Sequence, residues 1–284
     1  MPIDPAVAIG ADLGEVRFAW TPSDVLLYHL AVGAGADPLN DLRYTYERDL
    51  RVLPTFAAVA INLRTFEPPS VKFPGVDIDL AKVLHGKHEI ELHRPIPVEG
   101  KAVAHTRIAD VYDKGKAAVL VQETEVADES GAPLWTARAT IFARGEGGFG
   151  GERGPSDRIE WPAREPDAVL ELPTLPQQAL LYRLCGDRNP LHIDPDFAKA
   201  AGFERPILHG LCTYGMVART VVDAFLDGDP GRVSAFGTKF AGVVFPGERL
   251  RVRVWREGGR LLVTTTAADR GDAPVLSDTV LEPR

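Results

Sequence analysis

Hydrophobic and polar positions along the chain fall into two runs with one plan. In the second run, Leu250-Arg-Val-Arg-Val-Trp-Arg256 alternates as a half-buried strand does, Glu257-Gly-Gly259 turns, Leu261 to Ala267 returns, and Asp269-Arg-Gly-Asp272 turns into a last strand, Val275 to Leu281. The first run offers strands at Ile90 to Leu92, Lys101 to Val111, Ala117 to Ala127 and Leu134 to Ala143, with turns at Asp113-Lys-Gly-Lys116 and Asp128 to Pro133. Ahead of each meander the pattern is helical: a helix, a loop, then a longer apolar helix, Leu211 to Leu226 in the second run and from about Phe56 to Ile61 in the first. A sheet wrapped around one long apolar helix buries both, which predicts an α+β fold of two tandem, pseudo-symmetric units.

Matching stretches support a duplication. Leu26-Leu-Tyr-His-Leu30 matches Leu180-Leu-Tyr-Arg-Leu184, Asp37-Pro-Leu-Asn40 matches Asn189-Pro-Leu-His192, and Val52-Leu-Pro-Thr-Phe-Ala-Ala58 aligns with Ile207-Leu-His-Gly-Leu-Cys-Thr213. A near-constant offset of this kind is the signature of a repeated domain. Turn formers and charges dominate the stretch between the copies, so residues 1–144 and 169–284 are predicted as domains and 145–168 as a linker. The linker contains G-x-G-x-x-G spacing at Gly145, Gly147 and Gly150, but a dinucleotide site needs a helix opening there. The following Gly151-Glu-Arg-Gly-Pro155 cannot open one.

Composition narrows the partners. The 284 residues are 45% hydrophobic and 25% charged, and 32 Lys+Arg against 40 Asp+Glu give a net charge of −8. That sign argues against nucleic acid or an anionic membrane as the main partner, and a phosphate-bearing ligand would need a locally basic site. Met1 to Trp20 has no basic stretch leading into an apolar one, and no window approaches a membrane span. Cys185 and Cys212 are too few for a disulfide framework or a four-cysteine zinc site, so a reducing cytoplasm is the expected location.

Candidate chemistry concentrates in Leu184-Cys-Gly-Asp-Arg-Asn-Pro-Leu-His-Ile-Asp-Pro195. Pro176 suits the first turn of a helix to about Cys185, Gly186 stops it and Pro190 prevents continuation. Asp194 reads as an N-cap with Pro195 behind it, opening a short helix that Gly202 closes. Asp187, Asn189 and His192 thus sit on a loop held at both ends. A carboxylate and a neutral imidazole can share one water, and Asn189 can orient either. Downstream, Pro206-Ile-Leu-His-Gly-Leu211 leads into the long helix, leaving the amides of about Gly210 and Leu211 without intrahelical acceptors at its positive end. Such amides can hold a thioester oxygen as it becomes an enolate, and glycine allows close approach.

Tyr182-Arg-Leu-Cys-Gly-Asp-Arg-Asn-Pro-Leu-His192 with Pro206-Ile-Leu-His-Gly-Leu-Cys-Thr-Tyr-Gly215 resembles the MaoC-like, hydratase-2 type (R)-specific enoyl-CoA hydratases in their double hot-dog form. Lys239-Phe-Ala-Gly-Val-Val-Phe-Pro-Gly-Glu248 is similar too, with Val243 where the family usually has proline. The resemblance implies catalytic roles for Asp187 and His192, a supporting amide at Asn189 and an oxyanion-hole donor at Gly210. It also implies reversible hydration of trans-2-enoyl-CoA to (3R)-3-hydroxyacyl-CoA in fatty acyl or steroid side-chain metabolism, no cofactor beyond substrate coenzyme A, and a homodimer. In the first half Gly35 falls opposite Asp187, Asn40 opposite His192, and Pro54-Thr55 replaces the His-Gly pair, so that copy is expected to be silent and to accommodate the acyl chain.

Other readings have less support. His88 and His93, in Leu84-His-Gly-Lys-His-Glu-Ile-Glu-Leu-His93, are five apart on a predicted strand, which puts them on opposite faces and argues against zinc. Asp187 to Asp194 lacks the glycine and terminal glutamate of a calcium loop, and Cys212 beside His209 reads as a small buried residue rather than a nucleophile. Arg188, His209, Arg205 and Lys239, with Lys199, are the candidates for holding the substrate and its phosphates. A hot-dog acyl-CoA thioesterase and a non-catalytic acyl-CoA-binding subunit are the competing functions.

Overall fold

The computed structural model describes residues 3–37, 39, 41–156 and 158–284; Pro38 and Asn40, used in aligning the two loops, lie outside the described residues. A short helix, α1 (Pro5–Ala8), precedes β1 (Asp12–Trp20), which leads into α2 (Pro22–Ala31) and α3 (Leu42–Thr45). The first half continues with β2 (Val71–Phe73), β3 (Val76–Ile78), β4 (Val83–Leu92), β5 (Gly100–Asp113), β6 (Ala117–Asp128) and β7 (Pro133–Arg144). The second comprises β8 (Ala168–Pro173), α4 (Gln178–Tyr182), α5 (Pro195–Ala200), α6 (Gly210–Phe225), β9 (Val233–Phe240), β10 (Arg249–Glu257), β11 (Arg260–Ala267) and β12 (Ala273–Pro283). The stretch between β7 and β8 holds no helix or strand among its described residues, and no helix opens behind Gly150. Two of its glycines instead clasp the β5–β6 turn: the Asp113 carboxylate accepts the amide of Gly115 within that turn at 2.7 Å and those of Gly148 and Gly150 at 2.9 and 2.8 Å.

One ten-stranded antiparallel sheet runs in the order β1-β5-β6-β7-β4-β9-β12-β11-β10-β8. Each half contributes five strands in the same internal order, and the halves join where β4 pairs with β9, His88 opposite Thr238 and Ile90 opposite Phe236. Sheet-to-sheet association of two pseudo-symmetric halves is therefore what the chain forms. The strands β1 and β8 at the two free edges, and the separate β2–β3 hairpin, carry no clear alternating signal and were not foreseen.

The helices differ between halves. In the second, α6 runs 16 residues, with Cys212, Tyr214, Met216, Val217, Val221 and Val222 among its buried side chains. Its Tyr214 hydroxyl donates to the Phe236 carbonyl at 2.7 Å. Gly215 lets α6 approach α2 of the other half, since a Cβ there would lie 2.5 Å from the Tyr28 hydroxyl. In the first half the expected long apolar helix is absent, replaced by two 3-10 turns, Pro54–Ala58 and Ala60–Asn62. Tertiary contacts override the helical pattern: Phe56 and Leu53 are fully buried, Phe56 meets the Trp20 and Tyr28 rings, and the Asn62 carbonyl is turned against Gly186 of the second half. These turns and the strands of the first half's sheet line one cavity, which Val59 and Asn62 share with Leu84, Gln122 and Ile141.

Candidate active site

The candidate loop is built by short-range turn chemistry. α4 continues through a 3-10 turn, Arg183–Cys185, and stops at Gly186, whose φ of 105° is left-handed and whose Cβ, if present, would lie 1.8 Å from the Asn62 carbonyl oxygen. Asp187 accepts the Asn189 amide at 3.1 Å, and the Asn189 side-chain oxygen accepts the Leu191 amide at 3.0 Å, capping the turn Pro190–His192. Asp194 then caps α5 by accepting the amides of Asp196 and Phe197 at 2.8 and 3.2 Å. Every acidic or amide side chain in this loop except Asp196 thus accepts a backbone N–H, so the loop is held by its own residues.

His192 is fixed from the far side. Its Nδ1 lies 2.8 Å from the Ile207 carbonyl, which can only accept, so Nδ1 carries the proton and Nε2 keeps its lone pair. Leu208 is in turn tied by its amide to the Val244 carbonyl at 2.7 Å. The His209 ring lies over that of His192, centroids 3.7 Å apart, and its Nε2 lies 3.4 Å from the Asp187 carbonyl. Burial pushes His192 below the ordinary imidazole range, partly opposed by the Asp187 charge and the Ile207 carbonyl, and drives His209 further down. Both rings are thus neutral at physiological pH. Asp187, His192 and His209 each offer one ligand atom, all within 4.8 Å of one another, close enough for Asp187 and His192 to hold one water.

α6 begins at Gly210, and its first intrahelical bonds run from Cys212 and Thr213 to the His209 carbonyl, leaving the Gly210 and Leu211 amides at the helix's positive end. A Cβ at Gly210 would come 2.9 Å from Phe240, whose ring rests against His85 at 4.9 Å between centroids. These groups line one cavity of about 490 Å³. The second half contributes Asp187, Asn189, His192, Gly210 and Phe240; the first contributes Val59, Leu84, His85, Gln122 and Ile141.

Comparison with known proteins agrees with this layout. Residues 18–145 match the MFE-2 hydratase 2 N-terminal domain and residues 159–273 the MaoC like domain. The chain is 54% identical over 285 residues, covering 100% of both sequences, to enoyl-CoA hydratase ChsH3 of Mycobacterium tuberculosis. It belongs to the MaoC-like hydratase 2 family. The crystal structure of a MaoC-like dehydratase from Phytophthora capsici superimposes with a TM-score of 0.85 at 31% identity, covering 97% of this chain and 96% of that one. A Mycobacterium tuberculosis protein with a double hotdog fold, 14% identical, aligns with a TM-score of 0.58 over 99% of this chain and 98% of that one, a likeness of fold alone. The architecture of this family member is accordingly the double hot-dog.

Four of the residues singled out from the sequence, Asp187, Asn189, His192 and Gly210, meet in the hydratase's cavity. His209 stands behind them as the N-cap residue of α6, off the cavity wall. Arg188 reaches the first half, its Nε 3.4 Å from the Thr65 carbonyl and its guanidinium over Phe66 at 5.3 Å. Arg205 lies over the Phe245 ring at 4.6 Å and Lys199 is exposed, neither lining the cavity. Lys239 is on the sheet's opposite face, 2.7 Å from Asp278, because Phe240 takes the inward position and strand neighbours alternate. In the first half the Gly35 amide donates to Asp41 at 2.7 Å where the second half has Asp187. His88 is buried against Tyr214 while His93 is bonded to Thr136 at 3.0 Å, so the two share no site. Sequence reasoning missed His85, Phe240 and Gln122; the one local signal was Gly86, a bulge between His85 and Lys87 in β4.

Proposed function

We propose that this hydratase adds water reversibly to trans-2-enoyl-CoA thioesters to give (3R)-3-hydroxyacyl-CoA, with Asp187 and His192 as the catalytic pair. The observation that carries the reading is one cavity lined both by Asp187, His192 and Gly210 of the second half and by apolar side chains of the first, Val59, Leu84 and Ile141 among them. His192 Nε2, with its lone pair free, and the Asp187 carboxylate hold the water. Its hydroxyl adds to Cβ while a proton passes through the pair to Cα, so atoms balance without a cofactor. Charge that builds on the thioester oxygen during addition is met by the Gly210 amide and the positive end of α6.

The first half acts as the acyl chamber: the missing long helix leaves room, and a volume of about 490 Å³ falls within the range of sites that enclose a ligand of some size. That volume suits medium, long or ring-bearing acyl groups. Incubation with crotonyl-CoA and a longer enoyl-CoA tests the reaction. Loss of the conjugated thioester absorbance without free thiol is expected; thiol release without hydration would make the protein a thioesterase, and binding without either would make it a non-catalytic subunit.

The assembly we propose is a homodimer in the cytoplasm. No described helix is long and apolar enough to cross a membrane. Leu30 on α2 and its counterpart Leu184, in the turn that follows α4, are 46% and 44% exposed, Leu180 on α4 is 49% exposed, and α2 packs against α4 and that turn, so this face offers apolar surface that a second copy would cover. A monomeric mass in sedimentation at micromolar concentration would contradict the dimer.

A further inference from the structure

Gln122 is out of place in the wall it belongs to. It lies on β6 opposite Ile108 and Ala139, and of the other first-half strand residues that line the same cavity Val71, Phe73, Val83, Leu84 and Ile141 are apolar and His85 is polar. On the same strand face Leu120, two residues earlier, is fully buried. Thr124, two residues later, has its hydroxyl 3.0 Å from that of Thr106, so those two satisfy each other. Gln122 is only partly exposed, and its amide makes no side-chain hydrogen bond among the described residues. Covered by a plain alkyl chain, such an amide would lose its hydration with nothing in return, a cost that an apolar residue at this position would avoid.

From this placement we infer that Gln122 forms a polar subsite in the acyl chamber, selecting acyl groups that carry a hydroxyl or carbonyl oxygen away from the thioester. The inference rests on the hydratase reading for the direction in which the acyl group lies. The amide suits either oxygen, because its NH2 donates to a carbonyl and its own carbonyl accepts from a hydroxyl. Selectivity arises as much by penalty as by attraction: a plain alkyl chain of the same length dries the amide without replacing its water.

The test uses the full-length protein, wild type and Gln122→Met, with Gln122→Leu as a second variant should the first fold poorly. Each is assayed on trans-2-enoyl-CoAs of stepped chain length, every length supplied both unsubstituted and with a terminal hydroxyl or ketone, and kcat/KM is expressed relative to crotonyl-CoA for the same protein. At the length that reaches the amide, wild type should favour the oxygenated member by about tenfold, the scale of one net hydrogen bond. Both variants should lose or reverse that preference. Equal preference in wild type and variants, or no length at which wild type favours oxygen, would overturn the subsite. Calorimetric binding of the matching saturated acyl-CoA pairs gives the same comparison without turnover. A failure of hydration would therefore sink the functional reading while the subsite is still decided by affinity.

Discussion

A neutral imidazole whose Nδ1–H is spent on the Ile207 carbonyl has one nitrogen left to act as a base, and that nitrogen shares its surroundings with Asp187. Asp187→Asn and His192→Gln should therefore each lower kcat by at least about 10², the usual scale for a positioned acid or base. Melting temperature should move little, because neither side chain anchors the core, and near wild-type turnover in either variant would remove the proposed chemistry. Burial lowers the His192 pKa. Its basic form therefore persists as pH falls below the ordinary imidazole range, and the acid limb of kcat/KM should lie below that range; His192→Gln should abolish the limb. An acid limb at or above the ordinary value would contradict this. That Asp187 and His192 come together was legible from sequence, because Gly186, Pro190 and Asp194 fix their loop through contacts only a few residues apart. His85, Phe240 and Gln122 were not, since strand pairing brings them to the cavity from distant positions. Lys239 and Arg205 show the converse: nearness in sequence to the motif did not place them on the cavity.

At the scale of elements, meanders, caps and the long helix α6 followed from periodicity and turn residues, which are local. The first half's second helix did not follow, because its apolar residues satisfy contacts from both halves rather than a helix of their own. The loop that carries the proposed acid and base depends on that substitution, its Gly186 seated on the carbonyl of Asn62. Gly186→Ala should push the loop off this seat, since the new Cβ meets a backbone oxygen at 1.8 Å and the residue must also keep a left-handed φ. A displacement of about 1 Å can cost on the order of 10² in rate, so kcat/KM should fall by about that factor together with a lower melting temperature. Unchanged values of both would show that the two halves do not bear on each other at this point.

For the whole molecule, the duplication has been put to unequal use. One half holds the proposed acid and base while the other lacks the long helix and contributes to the wall of the proposed acyl chamber, and the seam between them is the β4–β9 pairing. Residues 160–284 expressed alone should expose the β9 edge and the face of α6 that meets Tyr28, and should lose activity on long acyl substrates. A well-behaved fragment with full activity on them would show the first half to be dispensable. The central claim is that one fixed loop delivers hydroxyl and proton from a single face of the enoyl group. The measurement that tests it most directly is the configuration of the product, read by offering the hydrated thioester separately to dehydrogenases specific for the 3R and the 3S alcohol. Oxidation by the 3R enzyme alone is the expected result, and oxidation only by the 3S enzyme would contradict the account.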